Sequence, residues 1–170
     1  MTIPLSTWDQ AVPAIVAAIN LQPAVVNPPP GYPTGGNILV QEGPPGTFQP
    51  DDIIIVDNNG IGQTANWHAL VGGGGQGSLD EKYRIGVMIE VFRGGSDDTP
   101  ADDPALIVRT RCKALADAVD VAVRTDPSLG GVVLSAYPAA HTFSACEWAD
   151  GSVSGRVMSC QIEIECVAVI

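Results

Sequence analysis

The chain of 170 residues is long enough to bury a core, and its hydrophobic fraction of 45% and charged fraction of 16% exclude a disordered protein. Its net charge of −11 comes from 8 basic and 19 acidic residues, and no lysine or arginine precedes Lys82. Without a basic tract the chain is a poor candidate for gripping nucleic-acid phosphates, although its charge suits a passage through which nucleic acid slides.

The first part of the chain predicts a helix and two short strands. The opening residues, MTIPLSTWDQ, lack a basic segment and a long apolar run, so we expect no signal peptide. Residues 7–21 predict a short helix with Thr7 at its N-cap, in which Pro13 either begins the helix or kinks it. After a proline-rich path, residues 37–42 and 53–57 predict strands. The second strand is continuously apolar, which is typical of a strand covered on both sides.

The clearest predicted strand lies between two segments that show no periodicity. Residues 81–92 alternate apolar and polar side chains, as a half-buried strand does. The glycine-rich segment before it, residues 58–80, and the acidic segment after it, residues 93–103, both predict long mobile loops.

A long helix and three strands are predicted in the rest of the chain. Asp103 as N-cap and Pro104 at the first helical position predict a helix that ends near residue 125. Its apolar stripe consists of Val108, Cys112, Leu115, Val119 and Ala122. The strands are predicted at residues 132–137, 142–148 and 156–170, with a hairpin turn at Ala149-Asp150-Gly151. Residues 1–170 therefore predict a single α+β domain, with a mainly antiparallel or mixed sheet and two helices packed on one face.

The glycine run VGGGGQGSLDE, residues 71–81, does not fit a phosphate-binding loop. Such a loop needs a lysine and a serine or threonine after its glycines, so that a cation reaches the phosphates. This run continues instead with Leu79, Asp80 and Glu81, and it precedes a strand. We therefore interpret it as a flexible tether that reaches a neighbouring subunit or another protein.

No other motif predicts catalysis, a metal site or a cofactor. His68 and His141 are far apart, and no G-x-S-x-G elbow is present. The acidic segment Ser96–Asp103 lacks the ligand order of a calcium loop, so weak cation binding there is secondary to a solvated or partner-facing role. The cysteines show no C-x-x-C spacing and are expected to be buried free thiols: Cys112, Cys146, Cys160 and Cys166. With no run of about 18 apolar residues, the sequence predicts a soluble, non-enzymatic protein of a reducing compartment.

The second half of the chain carries a recognisable order of motifs. A strand ending in Phe92-Arg93-Gly94-Gly95 is followed by the helix RTRCKALADAVDVAVR and by TDPSLGGVVLSA. A hairpin containing Asp150-Gly151 and a closing strand of alternating apolar residues complete the order. This order resembles the tail terminator (minor tail, or tail-completion) proteins of long-tailed bacteriophages, in which a helix leads into DPxLGG and a strand. The resemblance covers about residues 81–170 well and residues 1–57 loosely, whereas the glycine-rich segment 58–80 departs from it.

The turn in this motif also follows from local chemistry. Asp126-Pro127 ends the helix, because the residue before a proline disfavours the helical conformation. Gly130 and Gly131 permit a positive φ where the chain reverses into the next strand. Leu129 is then expected to cover the end of the helix.

The resemblance implies a homo-oligomeric ring, expected to be a hexamer, at the head-proximal end of the tail tube in the virion. The ring would assemble in the host cytoplasm, bind the tube protein, stop tube growth and bind the head-completion (stopper) protein. DNA would pass through its lumen without specific binding, and no membrane would be involved. The candidates for its contacts come from the two predicted loops: Gly72, Gly73, Gly74, Gly75, Gln76, Gly77, Arg93, Asp97, Asp98, Asp102 and Asp103.

Two alternative functions stay open at this point. Another phage head–tail connector or tail-tube protein would have a similar α+β architecture, but a tube subunit polymerises into long tubes. A small-molecule-binding or enzymatic α+β domain that uses the glycine run belongs to a different class. Stabilisation by nucleotides in a thermal-shift titration would favour that second alternative.

Overall fold

The computed structural model of the chain describes residues 6–27, 38–43, 52–57, 66–70, 78–94, 103–150 and 153–169. These residues form three helices and six strands. The helices are α1 (Trp8–Asn20), α2 (Pro23–Val26) and α3 (Pro104–Thr125). The strands are β1 (Ile38–Glu42), β2 (Asp52–Val56), β3 (Asn66–Leu70), β4 (Ser78–Gly94), β5 (Ser135–Asp150) and β6 (Val153–Val169). The predicted α+β class is confirmed.

The strands form one mixed sheet in the order β1-β2-β4-β6-β5. Strands β1 and β2 are parallel, and the other neighbours along this order are antiparallel. On one side, strand β4 pairs with β6 from Asp80 to Gly94. On its other side it pairs with β3 at residues 78–82 and with β2 at residues 87–91. The long strand β4 therefore has three partner strands, and β1 and β5 are the edge strands of the sheet.

Both long helices pack on one face of this sheet, as predicted. The apolar stripe of α3 is buried at every predicted position, from Val108 to Ala122. Helix α1 buries Ala11, Val12, Ile15 and Ile19 in the same core, and the core-facing residues of β4 and β6 complete it. In β2 all five residues are buried, which confirms that this strand is covered on both sides.

The boundaries of α1 and α3 agree with the sequence prediction, whereas the short helix α2 was not predicted. Helix α3 begins at Pro104, where the Asp103 carboxylate accepts a hydrogen bond from Ala105 N at 2.9 Å. Helix α1 begins at Trp8, so Pro13 lies inside the helix and does not begin it. Thr7 occupies the N-cap position of α1, but its side chain makes no capping hydrogen bond to that helix.

The prediction of a loop throughout residues 58–80 is wrong. Strand β3 lies within this segment and pairs with the start of β4, which itself begins at Ser78. The sequence of β3, Asn-Trp-His-Ala-Leu, has too little apolar alternation to indicate a strand. Its extended conformation is defined by its pairing with β4 and not by its own propensity. Residues 58–65 and 71–77 lie outside the described residues.

Further boundaries differ from the prediction. Strand β6 begins at Val153 and not at residue 156, because Ala149 and Asp150, predicted as turn residues, pair with Ser154 and Val153. The predicted strands at 132–137 and 142–148 are one strand, β5, with a register shift between Pro138 and Ala140. An edge strand tolerates Pro138 at this bulge, because the missing N–H need not take part in the ladder. The predicted loop 93–103 is also shorter than expected, since Arg93 and Gly94 belong to β4.

Candidate assembly interface

The residues predicted to contact other subunits fall into two groups. Gly72–Gly77, Asp97, Asp98 and Asp102 lie outside the described residues. Arg93 and Asp103 are described, and the prediction that they belong to a mobile loop is wrong. Asp103 caps α3, and Arg93 lies at the end of β4 with its guanidinium 2.9 Å from a carboxylate oxygen of Asp52. Both side chains therefore have intramolecular roles.

The DPxLGG turn is held by the side chain of Asp126. Its Oδ1 accepts hydrogen bonds from Ser128 N at 3.1 Å and Ser128 Oγ at 2.6 Å. Its Oδ2 accepts one from Gly130 N at 2.7 Å. These hydrogen bonds stabilise the ionised carboxylate, and they lower the pKa of Asp126 below its usual value.

The other residues of the motif also have the predicted roles. Leu129, Gly130 and Gly131 have φ values of 50°, 72° and 88°, so the chain reverses through three left-handed residues in succession. Glycine adopts this conformation without strain, whereas Leu129 does so while its side chain is buried in the core. Pro127 O accepts a hydrogen bond from Ala136 N at 2.7 Å, which ties the turn to the start of β5.

Replacing Asp126 with alanine is expected to destabilise the protein most at neutral pH. The pKa of this carboxyl group is lower in the folded chain than in the unfolded chain, so its contribution is complete above the unfolded value of about 4. The contribution is lost as pH falls through the folded pKa. Thermal unfolding of the wild type and of Asp126→Ala, measured from about pH 7 to about pH 2, should give curves that converge in acid. The same measurement on Asp117→Ala is the control, and a constant difference for Asp126→Ala would contradict this role.

A buried ionic cluster joins β2, β4 and α3, and the sequence analysis missed it. Arg111 Nε donates a hydrogen bond to Asp52 Oδ2 at 2.8 Å, and Arg111 Nη1 donates one to Ala24 O at 2.8 Å. Asp52 Oδ1 lies 2.9 Å from Arg93 Nη1, in an ion pair without hydrogen-bond geometry. The side chains of Asp52 and Arg111 are only 3% and 1% exposed. One feature of the sequence could have indicated that Arg111 is buried: it lies between Val108 and Leu115 in the apolar stripe.

A second buried cluster fastens the start of α1 to β4. Glu81 is buried, and its Oε2 accepts hydrogen bonds from Thr7 N and Thr7 Oγ1, each at 2.9 Å. Ser6 Oγ donates to the other carboxylate oxygen, and Thr7 Oγ1 lies 3.0 Å from Tyr83 Oη. A carboxylate at the positive end of a helix is favourable. Thr7 therefore serves this tertiary contact, which explains why it does not cap its own helix.

The cysteines divide into three buried thiols and one exposed thiol. Burial raises the pKa of Cys112 and Cys166 to about 12 and that of Cys160 to about 11, so these thiols stay protonated at neutral pH. The expectation that Cys146 is also buried is wrong. Cys146 lies on the part of β5 that no described helix or strand covers.

The described residues contain no group of three or more histidine, cysteine or acidic side chains arranged to hold a metal ion. His141 Nε2 lies 2.8 Å from Asp120 Oδ1, at the surface between β5 and α3. Within the same part of the chain, no helix has the length and apolar character needed to cross a membrane.

The most prominent open surface in the described structure is the outer half of β5. Residues 139–147 are all exposed, and they include Phe143, whose exposed fraction is 46%. A groove of about 460 Å³ lies between this strand and the first turns of α3. Its lining is largely apolar, with Leu106, Val108, Ala145 and Met158, and it also includes two arginines, Arg109 and Arg156, and two acidic residues, Asp103 and Glu147. Arg156 and Glu147 form an ion pair of 2.6 Å at its rim.

No model of a known protein family matches the chain, and no curated protein is significantly similar to it.

Proposed function

We propose that this chain is a tail terminator of a long-tailed bacteriophage. In this role several copies form a ring, with six expected, that caps the head-proximal end of the tail tube and stops its polymerisation. The ring then presents the surface to which the head-completion protein binds, and DNA passes through its lumen. The role is structural and assigns no catalytic step to any residue.

The observation that carries the proposal is the turn between α3 and the β5–β6 hairpin. The resemblance to tail terminators rests on a helix that leads through DPxLGG into a strand. In the structure this motif is a defined element, because Asp126 holds its backbone, the side chain of Leu129 is buried in the core, and Pro127 O accepts a hydrogen bond from Ala136 N at the start of β5. This defined turn supports the proposal.

The charge of the chain supports the same role. A net charge of −11 disfavours tight contact with DNA phosphates, which would impede passage through a lumen. The exposed edge of β5 also suits a protein that functions as one subunit of an assembly, since such edges are normally protected in monomers.

Native mass spectrometry and electron microscopy of the purified protein test the proposal. We expect a closed ring with one fixed number of subunits and no further growth. Long tubes formed by the protein alone would favour the alternative of a tail-tube subunit. A monomer at every concentration tested would contradict the ring.

A second experiment tests the position of the ring. Tubes assembled from the tube protein of the same phage should bind the rings at one end only, and capped tubes should stop growing. Rings bound along the side of the tube, or tubes that continue to grow from the capped end, would contradict the terminator role.

A further inference from the structure

We infer that the exposed edge of β5, residues 139–147, pairs with the outer edge of β1 in a second copy of this chain. The sheet would then continue from one subunit into the next around the ring. This inference rests on the proposed function, because it names the contact by which the ring closes.

The edge of β5 lacks the features that protect an edge strand. Its first part is protected, since Ala136 N donates to Pro127 O and a bulge follows Pro138. From residue 139 to residue 147 the sequence is AAHTFSACE, which contains no proline and no lysine. At roughly 3.4 Å per residue this stretch is about 30 Å long. Within the described residues only β6 pairs with it, so one full side of its backbone is open.

The outer edge of β1 matches this stretch in side-chain character. Strand β1 lies at the opposite end of the sheet, and β2 is its one described pairing partner. Its residues Ile38 and Val40 pack against the core on the helix side of the sheet. On β5 the helix side carries Phe143 and Ala145, since these residues pair with Cys160 and Met158, which lie at the core. Pairing of the two edges therefore places apolar side chains beside apolar side chains.

The helix layer would continue together with the sheet. Helix α1 packs on β1 within one subunit. On β5, by contrast, the groove beside α3 is open at residues 145–147, the end of the exposed stretch. When β1 of a second copy pairs with β5, its α1 arrives on the side of the sheet where this groove lies. The apolar lining of the groove, including Leu106 and Met158, is then covered.

The distribution of charge distinguishes this contact from pairing between two copies of β5. Every lysine and arginine of the chain lies at or after Lys82, so α1, β1 and β2 carry acidic charges alone. Exposed acidic groups of this region include Asp9 and Glu42. The groove beside β5 carries two arginines and two acidic residues, but Asp103 caps α3 and Glu147 forms an ion pair with Arg156. The exposed Arg109 is therefore the groove charge that no described acidic side chain pairs. Pairing β5 with β1 thus brings opposite charges together. Pairing β5 with β5 would bring Arg109 towards its own copy and close a two-fold dimer, whereas unlike edges extend into a ring.

Two lysine substitutions on β5 test the inference: Phe143→Lys lies within the open stretch, and Tyr137→Lys is the control outside it. The two residues are a matched pair, because both are 46% exposed. Tyr137 lies before the open stretch, and its hydroxyl donates to Glu165 Oε2 at 2.5 Å on the other face of the sheet. We expect Phe143→Lys to remain a folded monomer, with an unchanged circular dichroism spectrum and no ring by native mass spectrometry. We expect Tyr137→Lys to form the same ring as the wild type. If Phe143→Lys fails to fold, Ala145→Lys serves the same test.

The outcomes separate this inference from the proposed function. Rings formed by a folded Phe143→Lys or Ala145→Lys protein would overturn the inference and leave the ring itself intact. A wild-type protein that forms no ring would overturn both. Loss of the ring in Tyr137→Lys as well would overturn the assignment to residues 139–147.

Disulfide cross-linking identifies the partner edge. Cys146 lies on the face of β5 opposite the helices, and Leu39 and Gln41 alternate with Ile38 and Val40 and so lie on the same face of β1. Under mild oxidation, Leu39→Cys or Gln41→Cys should give a ladder of covalent oligomers that disappears when Cys146→Ser is added. Dimers formed by oxidation of the wild type through Cys146 would indicate β5–β5 pairing and overturn the inference. Absence of cross-links in rings of both cysteine variants would also overturn it.

Discussion

Replacing Asp52 with alanine is expected to lower the free energy of unfolding by about 3–5 kcal/mol. Asp52 is the one described carboxylate in contact with both Arg93 and Arg111, and the guanidinium of Arg111 is 1% exposed. Removing the carboxylate breaks the ion pairs of both guanidinium groups inside a buried cluster, and this costs more than the loss of one exposed contact. Because a domain is typically stable by about 5–15 kcal/mol, the variant should be close to unfolding.

Urea denaturation followed by circular dichroism measures this effect, and Arg84→Ala is the matched control. Arg84 also contacts two acidic side chains, Glu163 at 3.3 Å and Glu165 at 2.6 Å. Its side chain is 53% exposed, so water replaces the lost contacts and the expected cost is at most about 1 kcal/mol. Equal losses for Asp52→Ala and Arg84→Ala would show that burial of the cluster has no energetic consequence.

Replacing Leu115 with alanine is expected to cost about 2–5 kcal/mol. Leu115 is completely buried in the middle of α3, where it packs between the helix and the sheet. Its truncation removes apolar contacts and leaves a cavity that the close-packed core closes only in part. Leu106→Ala is the control, because Leu106 is on the same helix and is 50% exposed.

The same denaturation experiment compares the two leucine variants at a protein concentration where both are monomeric. Leu106→Ala should change the free energy of unfolding by less than about 1 kcal/mol. A smaller loss for Leu115→Ala than for Leu106→Ala would mean that α3 does not present its predicted stripe to the sheet.

The elements that could be predicted from the sequence are those defined by local signals. Helix α3 has a cap, a proline at its first position and a continuous stripe, and both of its ends were predicted correctly. Strand β4 alternates clearly, and the turn at Asp126 is defined by proline and glycine within six residues of the helix end. Each of these signals acts between neighbouring residues, so a single sequence contains it.

The elements that could not be predicted depend on contacts between distant residues. Strand β3 exists because β4 pairs with it, and the bulge at Pro138 is tolerated because β5 is an edge strand. The burial of Asp52 and Glu81 depends on partners that lie 59 and 74 residues away. The exposure of residues 139–147 of β5 likewise follows from the order of strands in the sheet. The sequence alone does not contain this order, so the predicted contact residues lay in the loops and not on β5.

The position of β6 has a consequence for the kinetics of folding. Strand β6 lies between β4 and β5 in the sheet, although it follows both of them along the chain. The hairpin of β5 and β6 forms through local contacts, but the pairing of β4 with β6 joins residues roughly 60–90 positions apart and must close a large loop first. Until that closure, β4 exposes a long apolar strand that is prone to aggregation. The sheet that carries the β5 edge is completed only at this late step. A newly synthesised chain therefore becomes able to join a ring only after β4 has paired with β6.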